Sequence, residues 1–140
     1  MERDLIFLPV ATQVILTLLL FIRLGQVKSR ASRLGEVDER RRALHKDAWP
    51  AYVLKVTNNI ENQFQTPVLF YVLSLMAWAL DRVDWLVVVA WAYIATRLVH
   101  AYIHLGDNVV LWRRKVFSIG VLLLMLMLMT LLNLRLFWGL

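Results

Sequence analysis

The sequence contains no cysteine and little proline or glycine. Of 140 residues none is Cys, three are Pro and five are Gly. Without Cys the chain forms no disulfide, no thiolate metal site and no cysteine nucleophile. It also lacks a Gly-rich phosphate loop, an HExxH zinc motif and a GxSxG serine motif. The enzyme classes that these motifs mark therefore find no support in the sequence.

Apolar residues, in contrast, are abundant. They make up 60% of the chain, and the mean hydropathy is +0.61. Soluble domains usually contain about 45–50% apolar residues. The composition therefore predicts an integral membrane protein, and the length predicts a single domain over residues 1–140.

Four apolar segments predict four membrane-spanning helices, in an all-α, up-down bundle. A span needs about 20 residues to cross a hydrocarbon core of about 30 Å. The predicted spans are about 5–24, 52–80, 83–105 and 116–137. The first is expected to be retained rather than cleaved as a signal peptide, because MERD is not a basic leader and no small-residue cleavage site follows.

The distribution of basic residues predicts the orientation in the membrane. The first connection, about 25–51, and the third are both basic, whereas the second, DRVD, has one Arg. The positive-inside rule then places the basic connections in the cytoplasm and both termini outside, in the inner membrane if the source is bacterial. Topology thus accounts for most of the net charge of +6, and nucleic acid is not an expected partner. The long connection is either a solvated linker attracted to the membrane surface or a source of arginines that hold an anionic ligand.

The second span includes an unusually polar stretch, NNIENQFQTP, at residues 58–67. On one helix, at about 100° per residue, its polar side chains fall on a single stripe. Buried polar groups without partners are costly in a membrane. The stripe therefore predicts either interhelical hydrogen bonds or a site for a polar ligand. Pro67 predicts a kink beside Thr66.

The third span carries a matching stripe. Tyr93, Arg97, His100 and His104 follow i, i+4, i+7, i+11 spacing. An Arg within a span is a candidate functional residue, although it could instead neutralise Glu61 or reach the membrane surface. The two histidines lack an evident third ligand, so no metal is expected. Cations near amides and a carboxylate suit a small zwitterionic or anionic ligand.

Two motifs resemble the MAPEG family, the membrane-associated proteins in eicosanoid and glutathione metabolism. The first is N-x-x-N-x-F-x-x-P-V-L-F-Y, which starts at Asn59 and is similar to a bacterial branch of the family. The second is R-x-x-H-x-x-x-H followed by N-x-V-x-x-R-x-x-x-F-x-x-G, which runs from Arg97 to Gly120. With the four spans and the long basic connection, the resemblance covers nearly the whole chain.

The resemblance implies a left-handed four-helix bundle that assembles as a homotrimer and binds glutathione between protomers, near the cytoplasmic ends of the helices. It implies Arg113 as the residue that stabilises the glutathione thiolate. The ligand-binding residues that it implies, together with Glu61 as a further source of charge, are Asn59, Asn62, Gln65, Arg97, His100 and His104. The reaction partner is a lipophilic electrophile from the bilayer.

The chain departs from the family pattern at three positions. Phe64 lies where characterised enzymes carry an acid, and Gln65 lies where the bacterial branch commonly has Glu. A Gln cannot attract an amino group by charge or act as a base. His104 replaces a Tyr. The leading hypothesis is therefore a glutathione-dependent transferase or peroxidase. The alternative is a non-catalytic trimer that binds a lipid or small polar metabolite, or that scaffolds partners.

Overall fold

Residues 2–138 fold into five α-helices that form four antiparallel segments. A computed structural model describes the backbone of residues 2–138 and the side chains of residues 2–133. The helices are α1 (Phe7–Arg33), α2 (Ala51–Gln63), α3 (Thr66–Ala79), α4 (Leu86–Leu105) and α5 (Val110–Trp138). Short 3-10 helices, Glu2–Ile6 and Lys46–Ala48, precede α1 and α2, and residues 2–138 contain no strand. The prediction of an all-α four-helix bundle is confirmed, with α2 and α3 together forming the second segment.

Contacts at the two ends of the bundle show the antiparallel order. At one end Trp78 Nε1 donates to Asp4 Oδ1 over 2.9 Å, which joins the end of α3 to the start of the chain. At the other end Lys55 Nζ donates to the carbonyl of Gly106 over 2.8 Å, which joins the start of α2 to the end of α4. The second end also carries the connection 34–50 and is called the basic end below.

Among the described residues, three helical stretches are long and apolar enough to cross a membrane. They are Glu2–Arg33, Leu86–Leu105 and Val110–Asn133. The second segment is not among them because it is divided, but residues 51–79 together extend about 43 Å at 1.5 Å per residue. Many large apolar side chains of α1, α3 and α5 are exposed on the outside of the bundle, as a lipid environment requires.

The first helix extends nine residues beyond the predicted end at Leu24. It stops at Arg33 because Gly35 adopts a left-handed conformation, with φ of 67°. The amide of Glu36 donates to the carbonyl of Ala31 over 3.0 Å, as in a Schellman cap. The basic connection therefore covers 34–50. Within it Arg41 donates to Asp47 over 2.7 Å, and this hydrogen bond lowers the pKa of the Asp47 carboxyl.

The second segment is two helices rather than one, so the prediction of a single kinked helix over 52–80 was wrong. The helix ends at Gln63, and Phe64 and Gln65 separate it from α3. Pro67 has no amide to donate to the carbonyl of Gln63, and its ring would clash with that carbonyl in a continuous helix. In the first turn of α3, where amides have no helical partner, the same proline costs nothing.

Buried polar side chains separate two apolar clusters in the interior. The cluster near the basic end is built from α1, α2 and Val37, and includes Leu20, Val53 and Ile60. The other is built from α3, α4 and α5 around Phe70 and Tyr93, whose rings stack 4.7 Å apart. The polar side chains between them, each at most 2% exposed, are called the polar layer below: Gln13, Asn59, Gln63, Arg97, His100 and His104.

The close approach of α4 and α5 depends on Gly120. A Cβ at this position would lie 3.0 Å from Thr96 Oγ1 and 3.5 Å from the Tyr93 ring. We expect Gly120→Leu to lower stability by about 1–3 kcal/mol, the usual cost of overpacking. Thermal unfolding in detergent measures the effect. Gly25→Leu is the control, since a Cβ at Gly25 has nothing within 4 Å; equal losses in both variants would contradict the packing argument.

Candidate functional site

A chain of side-chain amides joins three helices inside the bundle. Gln13 Nε2 on α1 donates to Gln63 Oε1 on α2 over 2.8 Å. Gln63 Nε2 in turn donates to Asn59 Oδ1 over 2.9 Å, and Asn59 Nδ2 donates to the carbonyl of Ala101 on α4 over 3.2 Å. Asn59 was predicted as a ligand-binding residue, but the structure uses both ends of its amide for hydrogen bonds within the protein.

Arg97 lies within the bundle, next to the break in the second segment. Its side chain is 2% exposed, and Nη2 donates to the carbonyl of Asn62 over 3.4 Å. That carbonyl belongs to the last turn of α2, where it also accepts from the amide of Gln65 over 3.4 Å and where the helix dipole attracts a cation. The guanidinium thus caps α2 from inside the bundle. Glu61, the alternative counterion, is on the outer surface and forms an ion pair with Lys46.

The two histidines of α4 extend the buried polar surface toward the basic end. Their rings lie 5.9 Å apart, and each side chain is 2% exposed. The Nδ1 atom of each has no hydrogen-bond partner among the described residues. His100 also lies 6.1 Å from the ring of Phe117 on α5, so it reaches the outer face of the polar layer, whereas His104 remains behind it.

A cleft of about 310 Å³ opens in front of His100, between the break in the second segment and the start of α5. We call it the Arg113 cleft. Pockets that bind small molecules have volumes of about 300–1,000 Å³. The lining combines two amides, an imidazole and two guanidiniums with two apolar side chains: Asn62, Gln65, His100, Val110, Arg113, Arg114 and Phe117. Such a set suits an anionic or zwitterionic ligand.

The position of Arg113 is fixed by the turn that precedes α5. Its Nη1 donates to Asn108 Oδ1 over 2.6 Å. Asn108 adopts a left-handed conformation, with φ of 53°, which Asn tolerates better than most residues. The amide of Asn108 donates to the carbonyl of Ile103 over 2.9 Å, which closes the turn after α4. The turn therefore determines where the guanidinium points.

The structure divides the predicted site residues into three groups. Asn62, Gln65, His100 and Arg113 line the Arg113 cleft. Asn59, Arg97 and His104 are buried and do not line the cleft, and Glu61 is exposed and paired with Lys46.

Two groups of residues were missed as candidates. Arg114 and Phe117 line the cleft, and the i, i+4 spacing of Arg113 and Phe117 could have indicated a shared face. Gln13 and Gln63 belong to the polar layer. Gln13 is an isolated Gln within the apolar run of α1. Because an unpaired amide is costly there, it could have indicated a hydrogen-bond partner on a neighbouring helix.

A known protein family matches most of the chain. The model of the MAPEG family matches residues 6–133. The chain belongs to the MAPEG family. It is therefore an integral membrane protein, a helical bundle, and a member of a family associated with glutathione and eicosanoid metabolism. No protein of curated function and no solved structure matches the chain significantly. For this MAPEG member, the activity therefore has to be inferred from its own residues.

Gln63 and Gln65 provide a matched test of the division between buried layer and open cleft. Gln63→Leu removes the partner of both Gln13 and Asn59 inside the bundle. We expect it to lower stability by about 1–2 kcal/mol, as unpaired buried amides do. Gln65→Leu changes an exposed side chain and should leave the melting temperature nearly unchanged. Thermal unfolding in detergent compares the two variants, and equal losses would contradict the assignment.

Proposed function

We propose that this MAPEG protein is a glutathione-dependent membrane transferase or peroxidase that acts on lipophilic electrophiles. The observation that carries the proposal is the Arg113 cleft, in which two guanidiniums, two amides and an imidazole meet at the basic end. The family association with glutathione gives the ligand class, and the cleft supplies groups that suit it.

The charges of the cleft match those of glutathione. The tripeptide has two carboxylates and one ammonium group, and a third negatively charged group appears on it when the thiol ionises. Arg113 and Arg114 supply two planar guanidiniums. A guanidinium can donate two parallel hydrogen bonds to one carboxylate. Asn62 and Gln65 offer amide oxygens to the ammonium group and amide N–H groups to the backbone of the peptide.

The proposed chemistry needs no nucleophile from the protein. The thiolate is the reactive form of a thiol, and a nearby cation favours it. In this proposal Arg113 stabilises the thiolate, and the thiol proton passes to solvent. The sulfur then forms a bond to the electrophilic carbon, while the leaving group of the electrophile takes the bonding electrons. The absence of Cys in the chain is consistent with this division of roles.

An apolar groove adjoins the cleft and supports entry of the electrophile from the bilayer. The groove has a volume of about 390 Å³ between α3 and α5, and its lining includes Leu69, Met76 and Met125. Thr66 at its near end follows Gln65 of the cleft, and Val121 lies one turn beyond Phe117. A lipophilic molecule in this groove would place its reactive end against the cleft.

The proposal includes a homotrimer with the basic end in the cytoplasm. The Arg113 cleft is open on the surface of the protomer, so a neighbouring protomer can complete it without any rearrangement of the bundle. The positive-inside rule supports the orientation, because the connection 34–50 and the first turns of α5 both carry clusters of Lys and Arg. Both termini would then be outside the cytoplasm, and glutathione would enter from the cytoplasmic side.

A second function, ligand binding without catalysis, is favoured by one specific observation. No carboxylate is among the described residues that line the cleft, and Glu61 is engaged by Lys46. The ammonium group of glutathione would then be held by amide oxygens alone. In this alternative the protomers form a membrane protein that binds a small anion or lipid without turnover.

Arg113 and Lys115 give the most direct test of the proposed function. We expect Arg113→Ala to weaken glutathione binding by at least tenfold, since a charge-assisted hydrogen bond contributes about 1.5–3 kcal/mol. Lys115→Ala removes a cation from the same turn. Because the ammonium of Lys115 lies over the ring of Trp112, this variant should bind glutathione like the unmodified protein. Calorimetric titration of the detergent-purified protein gives the affinities.

A thiol-conjugation assay with an aromatic electrophile then separates the two functions. Turnover that depends on Arg113 supports the transferase. Binding without turnover supports the non-catalytic alternative, and the absence of binding at millimolar glutathione would contradict both the proposed function and the assignment of glutathione as ligand.

Asn108 is expected to act through Arg113. Asn108→Gly keeps the left-handed backbone but removes the oxygen that accepts from Arg113. We expect glutathione binding to weaken about fivefold, because the hydrogen bond that positions Arg113 contributes about 1 kcal/mol. The melting temperature should change little. Asn108→Ala should show the same weakening and a lower melting temperature, because Ala disfavours positive φ. Binding by Asn108→Gly at the level of the unmodified protein would contradict a positioning role.

A further inference from the structure

One hydroxyl interrupts the apolar groove between α3 and α5. Among the described residues that line this groove, eight are apolar and the ninth is Thr66. Thr66 directly follows Gln65, which lines the Arg113 cleft, so its hydroxyl lies where the groove meets the proposed glutathione site. A polar atom of a molecule in the groove would therefore find a side-chain partner in the lining at this end.

The Thr66 hydroxyl is held from inside the bundle by Tyr93. The two hydroxyl oxygens lie 3.0 Å apart. The Tyr93 side chain is 0% exposed, and its ring lies between Phe70, which stacks on it at 4.7 Å, and the closely approaching backbone of Gly120 on α5. The contact thus joins the start of α3 to α4 and fixes the position of Thr66.

The burial of Tyr93 determines the direction of this hydrogen bond. Thr66 is the one hydrogen-bond partner of the Tyr93 hydroxyl among the described residues. A buried O–H without an acceptor is costly, so Tyr93 donates and Thr66 accepts. Thr17 and Thr57 donate their own protons to the carbonyl four residues earlier, whereas Thr66 has no such acceptor in the described part of the chain. Thr66 therefore keeps a free O–H donor at the groove.

A buried positive charge lies close to this pair of hydroxyls. Arg97 follows Tyr93 by one turn of α4, and its side chain is 2% exposed. Hydrogen bonds in a chain polarise one another, and a charge acts more strongly in a bundle interior than in water. Negative charge that develops on an atom bonded to Thr66 would be stabilised through Tyr93 and by the field of Arg97. Donors that are fixed before a reaction stabilise an oxyanion in this way.

We propose that Thr66 is a catalytic residue that donates a hydrogen bond to an oxygen of the electrophile, and that Tyr93 positions it. This role rests on the proposed glutathione transfer and concerns the second reactant. With an epoxide, the thiolate sulfur forms a bond to a ring carbon, and the C–O bond breaks. Its electron pair goes to the oxygen, which accepts from Thr66 and then takes a proton from water. That proton balances the one that the thiol released to solvent.

The free hydroxyl also predicts selectivity among electrophiles. The oxygen of an opening epoxide becomes negatively charged while it remains attached to the product, so a fixed donor lowers the barrier. An alkyl iodide has no oxygen, and iodide departs as a stable anion that accepts hydrogen bonds weakly. Thr66 should therefore accelerate the opening of an epoxide much more than the displacement of iodide from a chain of the same length.

Two electrophiles with equal chains, 1,2-epoxydodecane and 1-iodododecane, test this role with glutathione and the detergent-purified full chain. Thr66→Val keeps the branched shape and removes the hydroxyl. We expect it to lower kcat/KM for the epoxide about tenfold or more, and for the iodide less than about twofold. Thr66→Ser keeps the hydroxyl and should retain most of the epoxide rate. Tyr93→Phe should lower kcat for the epoxide about threefold and leave the iodide rate unchanged.

The matched control is Thr130→Val, the same change on α5. The Thr130 hydroxyl donates to the carbonyl of Leu126 and does not line the groove, so both rates should stay unchanged. Equal losses for the two electrophiles in Thr66→Val, or an unchanged epoxide rate, would overturn the catalytic role. A loss in Thr66→Ser as large as that in Thr66→Val would overturn it as well.

A binding measurement separates this role from the proposed transferase function. The carbonyl of 2-tridecanone, labelled with carbon-13, accepts a hydrogen bond without reacting with glutathione. Its NMR signal should move downfield on binding to the unmodified protein but not on binding to Thr66→Val. If neither electrophile reacts and this shift is present, the transferase function is contradicted and the donor at Thr66 is supported. Equal carbonyl signals in the two proteins would overturn the donor.

Discussion

The buried guanidinium of Arg97 is the constraint around which the bundle is organised. An arginine that is 2% exposed within a membrane bundle needs acceptors, and the carbonyl of Asn62 is available because α2 ends next to it. That helix ends because Pro67 cannot donate to the carbonyl of Gln63. The proline, the divided second segment and the intramembrane arginine are thus parts of one arrangement. Placing Arg97 also sets the depth of His100, which lies one turn closer to the basic end.

The polar residues of the second segment divide between structural and ligand-facing roles over residues 59–65. Asn59 and Gln63 face inward and join α2 to α1 and α4 through hydrogen bonds. Asn62 and Gln65, on either side of Gln63, line the Arg113 cleft. The inward pair explains how a stretch with so many amides is tolerated in the bundle. The outward pair, next to two arginines of α5, supports a site for a small charged molecule.

Sequence patterns predicted the fold well because membrane spans follow from hydropathy and charge alone. They also predicted the polar faces of the second and third spans, since helical periodicity places residues around an axis. They did not predict which residues of a stripe pair with each other. That choice depends on neighbouring helices: Gln13, which belongs to no stripe, determines the role of Gln63. Likewise, Glu61 pairs with Lys46 because the connection that precedes α2 lies beside it.

We propose that the inner amides hold the bundle together while the outer residues receive glutathione. NMR of the detergent-solubilised protein, with nitrogen-15 in the Arg, Asn and Gln side chains, tests this division directly during a glutathione titration. We expect saturable shifts of the Arg113 and Gln65 signals, with those of Gln13 and Gln63 unchanged. Shifts concentrated at Gln13 and Gln63, or an absence of shifts at millimolar glutathione, would contradict it.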